Sequence, residues 1–202
     1  FTIFVDENEG WIPREGWEPD GEVIWNTWPQ VRVAKDAWYN ALAPNLSRAS
    51  DYAVPAKRAD FYEPGSLFQC PSAKLPRETR DPGYQIAIFS RAMNSQLITW
   101  PKVPTIQYGS IKYPERTVLF LDNLLEGEEK VAPGQLGSFL GQPSSFANRF
   151  AGRRHFGGGN LIFVGGNASR FPGEKVVETR QENNGWAIVP PTDVVWEADP
   201  DY

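Results

Sequence analysis

Apolar positions along the chain follow two different periods. Near the N-terminus, Phe1, Phe4 and Val5 have the spacing of one helical face. A second stretch, 31–42, repeats this spacing and stops before Pro44, because proline cannot continue a helix. Its apolar face consists of Val31, Ala34, Trp38, Ala41 and Leu42. The pattern therefore predicts a helix end near the N-terminus and a helix over 31–42.

Later apolar runs are short, as is typical of β-strands. They span 84–89, 117–121, 160–164 and 167–171. Gly165 and Gly166 separate the last two runs, and such a pair predicts a two-residue hairpin turn in which at least one Gly has a positive φ. We therefore expect the C-terminal half to be mainly antiparallel sheet.

Composition favours one domain with many turns. The 202-residue chain has 18 Pro and 18 Gly, spread along its length, which argues against a long helical bundle. Its apolar fraction of 41% is enough for a buried core, so 1–202 is expected to form a single α+β domain. Residues 1–10 would end the N-terminal helix. The polar, Gly-rich segment 124–152 is predicted to be a long inserted loop.

Charge and reactive residues narrow the function classes. The net charge is −5, and no Lys/Arg cluster alternates with aromatic residues, so nucleic acid and anionic membranes are poor partners. The single Cys, Cys70, rules out an intrachain disulfide and a multi-thiolate zinc site. The single His, His155, removes most hydrolytic mechanisms. We therefore expect no catalytic residues, no metal ligands and no cofactor.

The stretch around Asp6 allows two interpretations. Asp6, Asn8 and Gly10 alternate like the first half of a calcium loop. Such a loop needs an acidic ligand about six residues after its central Gly, where this chain has Gly16. Gly10 instead suits the left-handed position just past a helix end, and Pro13 prevents continuation. We therefore expect a helix end rather than a calcium loop.

Five phrases occur in the order and spacing of a known family. They are FVDENEGWIP (4–13), PGSLFQCPS (64–72), MNSQL (93–97), IKYPERTVLF (111–120) and RHFGGGNLIFVGG (154–166). With them the chain resembles the pilin-like prepilin-type cleavage/methylation proteins of planctomycete- and verrucomicrobia-type bacteria, also called type II secretion G-like pseudopilins. The residues that match the family pattern are Gly10, Cys70, Pro71, Asn94, His155, Asn160, Gly165 and Gly166.

One family position is different. The family signature is a His, nine residues, then Asp-Gly, and the Asp position is Gly165 here. A role of that carboxylate as a turn acceptor or cation ligand is therefore lost or was not essential, and calcium is the one ion whose binding stays open. We expect Gly165→Asp to be neutral or mildly stabilising, and Gly166→Val to be destabilising.

The resemblance implies a non-enzymatic structural subunit. Its fold would be a pilin-like head, with a truncated N-terminal helix packed on an antiparallel sheet and long irregular loops. A missing hydrophobic N-terminal helix would anchor the precursor in the inner membrane and then assemble a type IV pilus-like or type II secretion pseudopilus filament. Partners would be copies of itself, other pilin-like subunits and the inner-membrane assembly machinery. The location would be the cell envelope, with the head periplasmic or extracellular.

Several residues have a second interpretation. His155 beside the Gly run 157–159 could bind an anion, or it could be a structural residue of the turn before a strand. Cys70 could be a reactive thiol, although no base lies near it in sequence, or a small buried side chain. The resemblance adds a third role, pairing with a Cys in the missing helix. The acidic groups at Asp6 and in 126–129 fit solvated loops better than acid/base catalysis.

Tryptophans suggest an alternative function. Trp11, Trp17, Trp25 and Trp28 crowd the N-terminal region, and exposed aromatic rings stack on sugars or on partner surfaces. The alternative function is therefore a surface module that binds carbohydrate or a partner protein. The competing interpretation is that these Trp residues fill the core.

Overall fold

The structure is a computed structural model of the chain. It describes residues 1–16, 35–42, 58–63, 66, 68–80, 86–97, 106–133, 135, 140–177, 179–182, 185–188 and 193–200. Three of the singled-out tryptophans, Trp17, Trp25 and Trp28, lie outside these ranges.

A five-stranded sheet is the centre of the fold. Its strands are β1 (Arg91–Asn94), β2 (Val118–Asp122), β3 (Ser144–Ser145), β4 (Gly158–Phe163) and β5 (Ala168–Pro172). Their order is β3-β1-β2-β4-β5, and every neighbouring pair is antiparallel except β1 with β3. A second, two-stranded antiparallel sheet pairs β6 (Thr179–Glu182) with β7 (Gly185–Ile188). The prediction of an α+β fold with a mainly antiparallel C-terminal half is confirmed.

Helices are short in the described part of the chain. The α-helices are α1 (Thr2–Glu7), α2 (Trp38–Ala41) and α3 (Arg58–Phe61). Single 3₁₀ turns occur at Arg77–Arg80, Ser95–Leu97, Tyr108–Ser110, Ala147–Arg149 and Gly173–Lys175. Among the described residues, none of the helices has the length and apolar character needed to cross a bilayer.

Helix α1 ends as the sequence predicts. The Asn8 side-chain amide donates to the Phe4 carbonyl at 2.7 Å, and the Gly10 N–H donates to the Val5 carbonyl at 2.9 Å. Gly10 has the expected positive φ, +87°, but the position just past the C-cap Asn8 is Glu9, which is also left-handed with φ +55°. Val5 is buried, and Phe1 packs against Tyr108 with ring centroids 6.3 Å apart. These contacts fix α1 to the core.

The predicted helix over 31–42 is wrong for 35–37, and 31–34 lie outside the described residues. Ala37 is extended, with φ −70° and ψ 141°. The Arg14 N–H donates to the Asp36 carbonyl at 3.0 Å, and the Trp38 N–H donates to the Arg14 carbonyl at 2.7 Å. This pairing with a distant segment uses the backbone groups that a helix would need, so α2 begins only at Trp38.

Three of the four predicted strands are present. Strands β2, β4 and β5 match the predicted 117–121, 160–164 and 167–171 to within two residues. The prediction for 84–89 is wrong in its described part: residues 86–89 belong to no strand, and β1 follows them instead. The Phe89 N–H donates to the Gly141 carbonyl at 2.8 Å, a single bond to a loop rather than a ladder.

The segment 124–152 is irregular, as predicted, but it is not only a surface loop. It supplies the edge strand β3 and the fully buried side chains of Leu124, Leu125 and Phe150. Just before it, the Asn123 side-chain amide donates to the carbonyls of Phe89 and Gln142, at 3.0 and 2.8 Å. The segment is therefore part of the core.

The β4–β5 hairpin confirms the predicted turn in one respect and corrects it in another. Gly166 has φ +91°, so the expected positive φ is present. The loop, however, has three residues, 164–166, and not the two glycines alone. The Gly166 N–H donates to the Phe163 carbonyl, and the Phe163 N–H to the Asn167 carbonyl, both at 2.9 Å. This is a three-residue hairpin whose last loop position is left-handed.

Gly165 has a packing role instead. Its N–H donates to the Pro114 carbonyl at 2.8 Å, and a Cβ at this position would lie 3.2 Å from backbone atoms of Glu115. We therefore revise the expectation for Gly165→Asp from neutral to mildly destabilising, because backbone rather than a flexible side chain would have to move.

Side chains of the sheet alternate between two faces. On β4, Leu161 and Phe163 are buried in one apolar cluster, whereas Asn160 and Ile162 point to the opposite face and are exposed. That opposite face is covered over β1 and β2 by a second cluster, which contains Val5, Trp38, Phe89 and Leu119. Next to this covered part the face stays open and forms a trough of about 910 Å³ with a mostly apolar lining.

We predict that Gly166→Val lowers the free energy of unfolding by ~1 kcal/mol or more. A Cβ at Gly166 would meet nothing within 4 Å, so the cost comes only from the left-handed backbone. Gly166→Asn should cost less, because Asn tolerates positive φ. Urea unfolding of the three proteins measures the difference. Equal stability of the Val and Gly proteins would contradict this account of the turn.

Glu15 predicts a dependence of stability on pH. Burial raises the pKa of this carboxyl from 4.5 to about 7, against smaller lowering effects of its own backbone and of Arg14. The folded protein thus holds this proton more tightly than the unfolded chain does. The protonated Glu15 carboxyl therefore contributes stability that is fully present below about pH 4.5 and is lost as the pH rises through about 7. The resulting change in the free energy of unfolding is on the order of 2–4 kcal/mol.

Glu15→Gln should remove most of this dependence, which urea unfolding between about pH 4.5 and about pH 8 measures. Glu7→Gln, at an exposed carboxylate, is the matched control and should keep the wild-type slope. Parallel pH profiles for wild type and Glu15→Gln would show that the carboxyl is not protonated by burial.

Candidate functional site

Three side chains of different chemistry meet at one end of the trough. The Cys70 Sγ lies 3.4 Å from the His155 Nε2, and this nitrogen lies 3.2 Å from the Asp122 Oδ2. One ligating atom from each residue falls within 4.8 Å of the other two. Cys70 and Asp122 are buried, and the His155 side chain is 21% exposed. We call these three residues the Cys-Asp-His cluster.

Cys70 is held by the chain that leads into β1. Its N–H donates to the Ser90 Oγ at 2.5 Å, and the neighbouring Gln69 side-chain amide donates to the Ile88 carbonyl at 2.7 Å. The Ala73 N–H donates to the Cys70 carbonyl at 2.9 Å, so the Cys-Pro-Ser phrase forms a tight turn. These bonds explain why the thiol faces inward although Pro71, the next residue, is exposed.

Asp122 is the last residue of β2, and its carboxylate is fixed by β4. Its Oδ2 accepts hydrogen bonds from the Asn160 N–H at 2.7 Å and from the Asn160 side-chain amide at 2.9 Å. The sheet register explains the contact, because Leu121 is opposite Leu161 and the next pair outward is Asp122 with Asn160. Asn160 thus orients the carboxylate.

His155 comes from a tight turn before β4. Its N–H donates to the Gly158 carbonyl at 2.8 Å, and the Gly158 N–H donates back to the His155 carbonyl at 3.1 Å. The two central residues, Phe156 and Gly157, have φ of +51° and +77°, the combination found in type I′ turns. A Cβ on Gly158 would lie 2.5 Å from the Phe171 carbonyl oxygen, so glycine is needed for this close approach.

Beneath the cluster lies a buried ion pair. The Arg154 side chain is 2% exposed, and its Nε and Nη2 donate to the two carboxylate oxygens of Glu128 at 2.9 and 2.5 Å. The same guanidinium donates to the carbonyls of Ser90, at 3.0 Å, and Asn123, at 2.6 Å. Its Nη1 is 3.8 Å from the Asp122 Oδ1. Such a two-pronged geometry fixes both partners in place.

The structure brings together three of the eight residues that carry the resemblance and separates the others. Cys70, His155 and Asn160 meet at the cluster, and Pro71 continues the turn beside it. Gly10 ends α1, while Gly165 and Gly166 belong to the hairpin at the other end of β4. These other positions shape the fold.

Asn94 is fully buried and structural. Its side-chain amide donates to the carbonyls of Val118, at 2.8 Å, and Trp196, at 2.7 Å. Its Oδ1 accepts from the Gln96 N–H at 2.9 Å. Asn94 therefore ties the end of β1 to β2 and to the C-terminal segment.

Sequence reasoning missed Asp122 and underestimated the surroundings of Cys70. Asp122 directly follows the predicted buried run 117–121, and a carboxylate at the end of a buried strand was the available signal. The absence of a base near Cys70 in sequence was misleading, because His155, 85 positions away, reaches it. The structural interpretation of His155 holds for its backbone, which closes the turn, but its side chain makes the contacts of the cluster.

Three groups at or beside the Gly run 157–159, which was suggested as an anion site, are engaged within the protein. The Gly158 N–H donates to the His155 carbonyl, and Arg153 pairs with Glu174 at 2.5 Å. Arg154 is taken by Glu128. These contacts leave the Gly-rich turn without support as an anion site.

The described tryptophans are mostly inside. Trp38 and Trp196 are buried, and Trp38 donates its Nε1 hydrogen to the Pro143 carbonyl at 2.9 Å. Trp11 is half-buried, and its backbone bridges to Gln107. For Trp38 and Trp196 the core interpretation is the better one, whereas the half-buried Trp11 belongs to neither apolar cluster.

The geometry of the cluster does not fit a Cys-His-Asp catalytic relay. In such a relay the imidazole uses one nitrogen for the nucleophile and the other for the carboxylate. Here the thiol and the carboxylate both face Nε2, so proton transfer from Cys70 through the ring to Asp122 has no path.

Comparisons of the chain with protein-family models, with curated proteins and with solved structures find no match.

We predict that the Arg154–Glu128 pair contributes strongly to stability. Arg154→Met should lower the free energy of unfolding by about 3–5 kcal/mol, because it leaves a buried carboxylate without its partner. Combining it with Glu128→Gln should restore part of the loss. A double-mutant cycle measured by urea unfolding gives the coupling energy, and purely additive effects would contradict a direct, buried pair.

Proposed function

We propose that this chain is the head of a pilin-like subunit, a non-enzymatic protein that assembles into a type IV pilus-like or type II secretion pseudopilus filament. The proposal includes a hydrophobic helix N-terminal to α1, which anchors the precursor in the inner membrane, and a head that is periplasmic or extracellular. Its partners are copies of itself or related subunits, together with the assembly machinery. The family resemblance supports it, as does the burial of Val5 of α1 in one apolar cluster with Met93 of β1 and Leu119 of β2.

The exposed aromatic ring of Phe156 is the observation that supports the assembly part of the proposal. Its side chain is 99% exposed, although its backbone has φ +51°. A non-glycine residue in this region costs roughly 1–2 kcal/mol, and a ring in water recovers none of it by burial. Arg170 holds the strained turn by donating to the carbonyls of His155 and Phe156. A strained, fully exposed aromatic ring is explained by contact with another molecule.

The alternatives have less support. An enzyme that used Cys70 as a nucleophile through a Cys-His-Asp relay would need a geometry that the cluster does not have. A carbohydrate-binding or partner-binding surface of tryptophans has no observation in its favour among Trp11, Trp38 and Trp196. Self-association through the exposed Phe156 ring requires neither a catalytic relay nor a surface of tryptophans.

We predict that Phe156→Asn weakens assembly without weakening the fold. Asn tolerates positive φ, so the melting temperature of the head should stay equal or rise. Loss of an aromatic anchor should cost about 2 kcal/mol per subunit contact, roughly 30-fold in affinity. The gene with its natural upstream sequence is expressed in the source bacterium, and immunoblots measure the protein in the inner-membrane and sheared surface fractions.

The matched control is Ile86→Asn, which removes another exposed apolar side chain, 42% exposed, from an unstrained position. It should leave the sheared fraction unchanged, whereas Phe156→Asn should reduce it several-fold. If Phe156→Asn matches wild type, the ring is not the assembly contact. Recovery of the wild-type protein only as a monomer outside both fractions would contradict the filament function itself.

A further inference from the structure

We propose that the Cys-Asp-His cluster is a binding site for a zinc-type divalent ion, with three protein ligands and a fourth position open to the trough. The proposal is independent of the filament function, since it concerns only the described head. The sequence excludes a multi-thiolate zinc site because there is one Cys. A mixed site with one ligand of each kind needs no second thiol.

The ligand set selects the metal. A thiolate sulfur, an imidazole nitrogen and a carboxylate oxygen together suit Zn²⁺, which binds all three ligand types. Ca²⁺ and Mg²⁺ take oxygen ligands, so neither fits a site in which two of three donors are sulfur and nitrogen. Three protein ligands with one open position is the arrangement of zinc sites that also hold water or a substrate atom.

The distances between donor atoms match a tetrahedral ion. From zinc bond lengths of about 2.3 Å to sulfur and about 2.1 Å to nitrogen or oxygen, tetrahedral geometry gives about 3.6 Å for S···N and about 3.4 Å for N···O. The observed separations are 3.4 Å for Cys70 Sγ to His155 Nε2 and 3.2 Å for that nitrogen to Asp122 Oδ2. The third separation, from the Cys70 Sγ to the Asp122 carboxylate oxygen, is within 4.8 Å, so these two ligands need to approach each other by no more than about 1.2 Å around an ion.

One imidazole nitrogen faces both other groups. Nε2 carries either one hydrogen or one lone pair, so by hydrogen bonding it serves Cys70 or Asp122 fully, but not both. An ion placed between the three residues accepts an electron pair from each at the same time. The thiol and the carboxylate both lie near Nε2. This arrangement argues against a catalytic relay, but it is the arrangement that three ligands of one ion need.

Asn160 fixes the orientation of the Asp122 carboxylate, and an ion on Oδ2 would take the place of one of the two hydrogen bonds that this oxygen accepts. Asn160 donates to Asp122 Oδ2 from both its backbone and its side chain, at 2.7 and 2.9 Å. Hydrogen-bonded support of this kind is the rule for metal-binding carboxylates. Asn160 is therefore a positioning residue for the ion.

Charge also balances on binding. The thiol of Cys70 loses its proton to solvent as the Zn–S bond forms, so the ion of charge +2 meets one thiolate, one carboxylate and a neutral imidazole. The nearby Arg154 is balanced separately by Glu128. The buried site is then close to neutral, with no oxidant or further reactant involved.

The fourth position faces the trough, because Cys70, Asp122, His155 and Asn160 all line it. Water fills this position when the trough holds nothing else. A donor atom of whatever enters the trough can replace that water.

The test uses metal-free wild-type protein and Co²⁺ as a spectroscopic substitute for Zn²⁺. We expect one Co²⁺ per chain, a thiolate-to-cobalt charge-transfer band in the near ultraviolet and the intense visible bands of a tetrahedral site. Zn²⁺ should displace Co²⁺ and raise the melting temperature, and a chelator should reverse both effects. Since Cys70 is the sole thiol of the chain, the charge-transfer band identifies the site without any variant.

Variants then assign the ligands. Cys70→Ser should abolish the charge-transfer band, and His155→Gln and Asp122→Asn should each weaken Zn²⁺ binding by at least tenfold. Asn160→Ala, which keeps all three ligands, should weaken it roughly 10–100-fold. Glu129→Gln, at a carboxylate that is 78% exposed, is the control and should bind like wild type.

Two outcomes would overturn the proposal. Co²⁺ binding to the wild-type protein without a thiolate band would place the metal at surface carboxylates. Absence of any metal-dependent spectrum or melting shift in the folded wild-type protein would leave His155 and Asp122 as neighbouring side chains beside a buried thiol, with no metal site. Both readings come from wild type, so a variant that fails to fold does not affect them.

Discussion

The Arg154 guanidinium connects the parts of the chain on which the rest of the structure depends. It reaches the chain before β1 through Ser90, the end of β2 through Asn123 and the segment 124–152 through Glu128. A buried cation is expensive unless it is fully paired, so these three regions must be in place together. The next residue, His155, is thereby set beside Cys70 and Asp122, and the geometry of the cluster follows from the burial of its neighbour.

The sheet explains why a trough exists next to this cluster. Val5 and Trp38 pack against Leu119 on one part of a sheet face, while the Asn160 and Ile162 side of β4 stays open. Ile162 is 41% exposed there, although it lies between two buried strand positions. The open face and the cluster are continuous, so a ligand or a segment of a partner in the trough would reach the fourth position of a bound ion.

The turn that begins at His155 combines a backbone with positive φ and a side chain of the Cys-Asp-His cluster. Phe156 and Gly157 take positive φ, and this tight reversal directs the His155 side chain toward Cys70 while the Phe156 ring stays in solvent. The turn thus serves the two proposals separately: its backbone shape positions a metal ligand, and its exposed ring offers a contact for another subunit. A substitution of Phe156 leaves the His155 imidazole in the chain, and a substitution of His155 leaves the Phe156 ring.

The sequence by itself determined the local features: the end of α1 at Gly10, strands β2, β4 and β5, the positive φ at Gly166 and the mainly antiparallel C-terminal half. Each follows from backbone preference or from a short apolar period. Tertiary structure alone decided that 35–37 pair with Arg14 instead of forming a helix, and that Cys70, Asp122 and His155 meet. Long-range backbone pairing outweighs differences in helix propensity, which are at most about 0.7 kcal/mol per ordinary residue. Contacts between residues 85 positions apart leave no periodic signal in the sequence.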